Sequence, residues 1–315
     1  MFVTRLTQLV FAALVLVPSA VAAQQGPDTA FHAGVPHPAY GANGPLVRLD
    51  EAHHNFHTTT GRYAPFVALL THDGYRVAPN TSRFTDASLA GAAVLVIANA
   101  LGADGMQSRD AGRPAFTRQE VAAVRRWVEG GGALLLIADH APFGAAAEEL
   151  ARAFGVGMGE GFARDTAPND HAGNPTFLRF SRDNGLLGDH AITRGRDASE
   201  RITTVVSFTG QSLTVPPGAA ALLSLGPTAD ERPTRADMFA DPRDRTAFTR
   251  VGGRAQGLAM QVGRGRVVVL GEAAMLSAQV IERPGASTMR MGMNVPGSDD
   301  QQFCLNVMHW LAGLI

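Results

Sequence analysis

No lysine occurs among the 315 residues, so every basic side chain apart from histidine is an arginine. That excludes lysine chemistry such as a Schiff base or a P-loop ammonium. Cysteine is nearly as scarce: Cys304 stands alone, so no intramolecular disulfide can form. Its surroundings in FCLNVMHWLAGLI, with Phe303, Val307 and Trp310, predict a packed core residue rather than a nucleophile. A charge excess of one sign is also missing. The formal net charge of -1 gives no general pull toward nucleic acid or anionic membranes. Between Asp230 and Arg250 the arginines alternate with Glu231, Asp237, Asp241 and Asp244, which reads as a solvated excursion, not a phosphate patch. Four familiar catalytic and nucleotide-binding signatures are absent too. There is no G-x-S-x-G elbow, no G-x-G-x-x-G or Walker A loop, and no HExxH.

What is present begins with a segment that reads as a secretory signal, Met1 to Ala23. Arg5 supplies the positive charge and Leu9 to Val17 the apolar core. Ala20-Val21-Ala22, or Val21-Ala22-Ala23, supplies the small residues of a cleavage site. The apolar part falls short of the roughly 20 residues of a membrane span. An exported chain with no stable membrane anchor after cleavage is therefore expected, periplasmic or secreted. Residues 24–45, rich in Gly, Pro and Ala, predict an extended arm, and residues 46–315 a single domain. Its 45% hydrophobic content is enough to stabilise it by core burial without crosslinks.

Strand and helix patterns alternate through the first half. Strands are predicted at Leu46 to Asp50, Tyr75 to Pro79, Ala93 to Ala98 and from Ala133 (ALLLIA). Helices are predicted over Tyr63 to His72, after Thr85, from Thr117 to Gly130 and over Gly144 to Phe154. Thr117 and Glu120 form a capping box, flanked by a Phe116/Val121 hydrophobic staple. Runs with no polar alternation fit strands buried on both faces. The fold expected is α/β, a doubly wound, mainly parallel, flavodoxin-like sheet in a three-layer sandwich. Later strands are predicted at Arg201 to Phe208, Ala219 to Leu225, Gly257 to Val262 and Arg266 to Leu270, before a closing helix over Gln301 to Leu314. Met158 to Thr176 reads as a long loop on the active face.

Chemistry-bearing residues follow several of these strands. Asp50-Glu51-Ala52-His53-His54-Asn55, with His57 behind, follows the first; Asn99 follows the third; Asp139-His140 follows the fourth; Glu272 follows Arg266 to Leu270. Parallel strands gather their carboxyl ends at one edge, where ligands bind in open α/β sheets. Asp139, His140, Glu51 and Asn99 are the candidate catalytic groups. Asp50, His53, His54, Asp139, His140 and Glu272 are the candidate ligands of a divalent metal such as zinc, which would acidify a bound water. The same groups would equally serve as a metal-free acid/base set. Asn169-Asp170-His171 reads as an Asx-type turn, with a lid or an extra ligand as the alternative. Asp189-His190 reads as a turn and His309 as structural.

The segments DEAHHNFHT, FTRQEVAAVRRWVEGGGALLLIADHAPFG, GDHAITRG, GRGRVVVLGEAAMLSAQ and NVMHWL together resemble an exported branch of the class I glutamine amidotransferase-like superfamily. That group includes ThuA-like domains and the related domain of intraflagellar transport proteins. The resemblance covers most of the chain from Leu46 onward and implies the fold and the position of the pocket. In the amidotransferases proper the elbow carries a nucleophilic Cys. Here it holds Asp139-His140-Ala141, so glutaminase activity is not expected. Two functions follow as expectations. One is an exported hydrolase-like enzyme acting on a small polar or carbohydrate-derived substrate; the other is a non-catalytic ligand- or protein-binding domain.

Overall fold

The computed structural model describes residues 24–315 except 42, 240–247, 283, 284 and 286. The predicted signal segment, like Asp241 and Asp244, lies outside the described residues. Strands β1 (Leu46–Asp50), β2 (Arg76–Asn80), β3 (Val94–Ala98), β4 (Ala133–Ile137), β5 (Ala220–Ser224), β6 (Ala255–Val262) and β7 (Gly265–Leu270) form a seven-stranded sheet in the order β2-β1-β3-β4-β7-β6-β5. The five from β2 to β7 are parallel, and β6 and β5 add on antiparallel through the β6–β7 hairpin.

Alternation along the central strands explains both layers beside the sheet. Leu135, Ile137, Val268 and Leu270 face helices α1 (Ala64–His72) and α4 (Asp300–Leu311), with Phe66, Leu69, Phe303 and Val307 in one core. Leu134, Leu136, Val267 and Val269 face α2 (Arg118–Glu129) and α3 (Phe143–Arg152), with Val124, Val128, Phe143 and Leu150 in the other. An unbroken apolar run thus fills two cores at once. The Thr117–Glu120 capping box forms as predicted, and Phe116 and Val121 pack into the second core. Among the described residues, no helix is long and apolar enough to cross a membrane.

The arm and the second half depart from expectation. Gln24–Pro27 is a strand, paired antiparallel with Gln279–Glu282 in a small sheet completed by Met289–Gly292. The predicted strand around Arg201 to Phe208 shortens to Thr204–Val206 and pairs with Arg179–Ser181, outside the main sheet. Within the predicted Met158 to Thr176 loop, Phe162–Arg164 pairs with Asp230–Arg232, so that segment is not a free excursion either. These partners are distant in sequence, and no local pattern announces them.

Candidate functional site

A cleft of about 570 Å³ opens beyond the carboxyl ends of β3, β4 and β7. Its polar floor comes from those three strand ends. Ile137 pairs with Ala98 on one side and with Leu270 on the other, so Asn99, Asp139 and Glu272 leave the sheet side by side. Asn99 has φ 53°, a left-handed conformation that asparagine tolerates better than most residues. Its Oδ1 accepts the Asp139 N–H at 2.9 Å, which leaves the amide NH2 available to the cleft.

Asp139 Oδ1 accepts the His140 N–H at 2.8 Å. His140 Nδ1 lies 2.8 Å from the Ala141 carbonyl. A carbonyl can only accept, so Nδ1 carries a proton, and Nε2 is the ring nitrogen that can act as a base. The ring stacks on Phe162 at 4.5 Å. Glu272 is fully buried and accepts from the Ala274 and Met275 N–H groups at 2.7 and 2.9 Å. Burial, and then the negative charge of Asp139, push the Glu272 carboxyl well above the ordinary range despite those two donors. Burial also raises Asp139, against the opposing pull of His140, Asn99 and Arg62.

Arg62, which sequence reasoning missed, and His57, noted there only as lying behind the first-strand cluster, complete this floor. Arg62, just before α1, lies over the Phe56 ring at 4.5 Å and donates to the Gln25 carbonyl at 3.2 Å. His57 stacks on Tyr63 at 4.6 Å, and its buried Nδ1 has no hydrogen-bond partner among the described residues. Burial, reinforced by the Arg62 charge, pulls His57 down to about 3, so it is neutral at physiological pH. The walls are apolar: Phe143, Phe177, Phe208, Met106 and Met291 line them. The predicted loop before Thr176 does reach the cleft, but through Asn174 and Thr176 rather than through Asn169-Asp170-His171.

Of the first-strand cluster, Asp50, Glu51, His53 and His54 do not join this site. Asp50 is buried, with Oδ2 at 2.8 Å from His53 Nδ1, and His53 Nε2 lies 2.8 Å from Glu120 Oε1 at the start of α2. With a carboxylate on each ring nitrogen, His53 has no lone pair to give a metal. Burial opposes its charge, but Asp50 and Glu120 outweigh burial and raise its pKa. Glu51 accepts from the Thr59 N–H and hydroxyl, both at 2.7 Å, and closes its own loop. His54 is exposed, at φ 49°. The expected metal set of Asp50, His53, His54, Asp139, His140 and Glu272 is therefore split between two places. Among the described residues, no three His, Cys, Asp or Glu side chains converge to hold a metal ion. Strand alternation is the reason: Leu49 faces the α1 side, so Asp50 turns to the α2 side, where Glu120 waits.

Other readings place as expected. His190 caps the single turn Ala191–Arg194, and His309 Nε2 pairs with Asp73 at 2.7 Å in the core. Cys304 is fully buried, and burial pushes its thiol up, away from reactivity.

No family model matches this sequence, and no curated protein does either. Solved structures do match. The mmIFT52 N-terminal domain is 16% identical with a TM-score of 0.56, over 84% of this chain and 97% of that one. A ThuA-like protein from Bacteroides uniformis is 13% identical with a TM-score of 0.45, over 87% and 95%. Another from Parabacteroides merdae is 12% identical with a TM-score of 0.45, over 86% and 91%. At these identities the likeness is one of fold alone, and the chain shares its α/β architecture with the mmIFT52 N-terminal domain.

Proposed function

We propose that the cleft binds a small polar or carbohydrate-derived molecule and hydrolyses it by general acid–base catalysis. Glu272, held protonated by burial beside Asp139, gives its proton to the leaving group. His140 Nε2 takes a proton from the attacking water, with Asp139 beside it to stabilise the imidazolium that results. The Asn99 amide and the Arg62 guanidinium face the negative charge that develops. The single observation carrying this reading is the pair of carboxyl groups, Asp139 and Glu272, at adjoining strand ends in one cleft.

Turnover across a panel of ester, amide and glycoside substrates tests it, comparing the wild type with Asp139→Asn and Glu272→Gln. Activity lost in both variants, with the fold retained by circular dichroism, supports the reading. Activity equal in all three overturns it. A second reading, a non-catalytic binding cleft, is favoured by the Phe and Met walls and by the engagement of both Glu272 oxygens with backbone N–H groups. Ligand binding without turnover in the wild type would select it.

Membership in the glutamine amidotransferase-like superfamily is part of the same proposal. Its supports are the parallel strand order, which is that of flavodoxin-like sheets, and the position of Asp139-His140-Ala141 where the amidotransferases carry their Cys. Export is proposed from the Met1 to Ala23 pattern. N-terminal sequencing of the protein recovered from the periplasm or medium should begin near Gln24.

A further inference from the structure

Away from the cleft floor, Asp165 and Asp170 meet at a glycine. Asp165 follows the Phe162–Arg164 strand and is 2% exposed. Its Oδ1 accepts from the Ala167 N–H at 2.9 Å and from the Thr228 hydroxyl, while its buried Oδ2 has no hydrogen-bond partner among the described residues. Asp170 Oδ1 accepts from Asn184 Nδ2 at 3.2 Å. The second oxygens of both residues face the bare Cα of Gly226. A Cβ built there would stand 2.7 Å from Asp170 Oδ2 and 2.9 Å from Asp165 Oδ2.

An unpaired buried carboxylate oxygen beside a second carboxylate is costly in the absence of a positive partner. Burial and the charge of Asp165 both push Asp170 up. His171 and Arg179 lower it in part through their charge, yet neither donates a hydrogen bond to either facing oxygen among the described residues. The seat is small, oxygen-lined and negative.

We propose that Asp165 Oδ2 and Asp170 Oδ2 ligate a hard divalent cation, calcium, seated over Gly226 and completed by water. Calcium accepts irregular sets of carboxylate and water oxygens, and a site with few protein ligands belongs to the weak range of about 10⁻⁴–10⁻³ M. The ion would fasten the segment after Asp165 to the turn at Gly226 and Thr228. That segment carries Asn174, Thr176 and Phe177 into the cleft, so the ion would brace one cleft wall. Calcium binding at this seat does not depend on the chemistry of the cleft.

Calorimetric titration of the chelator-treated full chain with calcium chloride tests it, with magnesium chloride as the competitor. One calcium site with a dissociation constant of about 10⁻⁴–10⁻³ M is expected, weakened about tenfold or more in Asp165→Asn and in Asp170→Asn. Gly226→Ala keeps both charges but fills the seat with a methyl group, and should abolish binding. Should that variant fail to fold, the two Asn variants decide. Wild-type protein that takes up no calcium overturns the proposal, as does binding that all three variants leave unchanged. A proton shared between the two carboxyls at neutral pH, seen by carboxyl carbon NMR with no change on adding calcium, overturns it as well.

Discussion

Asp139 and Glu272 stand at matching heights on neighbouring parallel strands, each two residues beyond the paired positions Ile137 and Leu270. Their carboxyl groups therefore enter one cleft, where burial and the charge of Asp139 keep Glu272 protonated far above the usual carboxylate range. Two acids in one poorly hydrated place titrate as a pair, and one of them is held ready to donate.

Removing the Asp139 charge should lower the Glu272 pKa. The shift is downward but incomplete, because burial is the larger cause and persists. A raised native pKa means the folded state holds this proton more tightly than the unfolded one. Stability thus declines as pH rises from the ordinary glutamate range through the native value. In Asp139→Asn that decline should be shallower. Urea midpoints at pH 5 and pH 8, with carboxyl carbon NMR of Glu272, check both statements; an unmoved Glu272 titration would refute the coupling.

His57 has the opposite sign of pH dependence. Its native pKa of about 3 lies below the unfolded value of about 6.5, so the unfolded state binds the proton first. Acid therefore destabilises the fold progressively between pH 6.5 and 3, by as much as a few kcal/mol. His57→Phe retains an aromatic ring on Tyr63 and removes the titration. Its melting temperature should fall less than that of the wild type between pH 6 and pH 4. Parallel curves would show that His57 does not titrate as its burial requires.

His53→Ala should cost about 3 kcal/mol or more at pH 7, because it strands the buried Asp50 and Glu120 carboxylates together. In the wild type the raised His53 pKa contributes stability in full below about 6.5, lost as pH rises through the native value. Glu120 behaves oppositely. Burial opposes its charge, but the Thr117 donors and His53 hold it at about 2, so its contribution is present above the ordinary glutamate value and lost as pH falls toward 2. Chemical denaturation of the variant at pH 7 measures the sum. A loss below 1 kcal/mol would mean that water relieves the stranded pair.

The parallel core could be read from the sequence because its strands are short apolar runs bounded by glycine and capping residues. Asn99, Asp139, His140 and Glu272 could be found because strand-end position needs only local pattern and topology. Asp50 stood at the end of a parallel strand as well, yet one step of alternation sent it to the α2 face, and only the partner Glu120, remote in sequence, reveals that. The rest of the cleft comes from segments tied by distant pairing. Gln25 arrives on a strand held by Gln279–Glu282, and the Thr176 carbonyl is tied to the Thr209 N–H. No spacing rule connects residues separated by most of the chain.

Arg62 is the cleft residue with the most to test, since its positive charge bears on both Asp139 and His57. A nearby cation favours the deprotonated form of either group, so Arg62→Gln should raise both pKa values. His57 would move up from about 3 toward its ordinary value only in part, because burial is the larger cause of its depression. Asp139, already raised by burial, would rise further, and the acid limb of any pH–rate profile dependent on its carboxylate would move to higher pH. NMR titration of the His57 ring and of the Asp139 carboxyl reads the two shifts separately. Movement in opposite directions would indicate that the guanidinium acts by packing over Phe56, not by its charge.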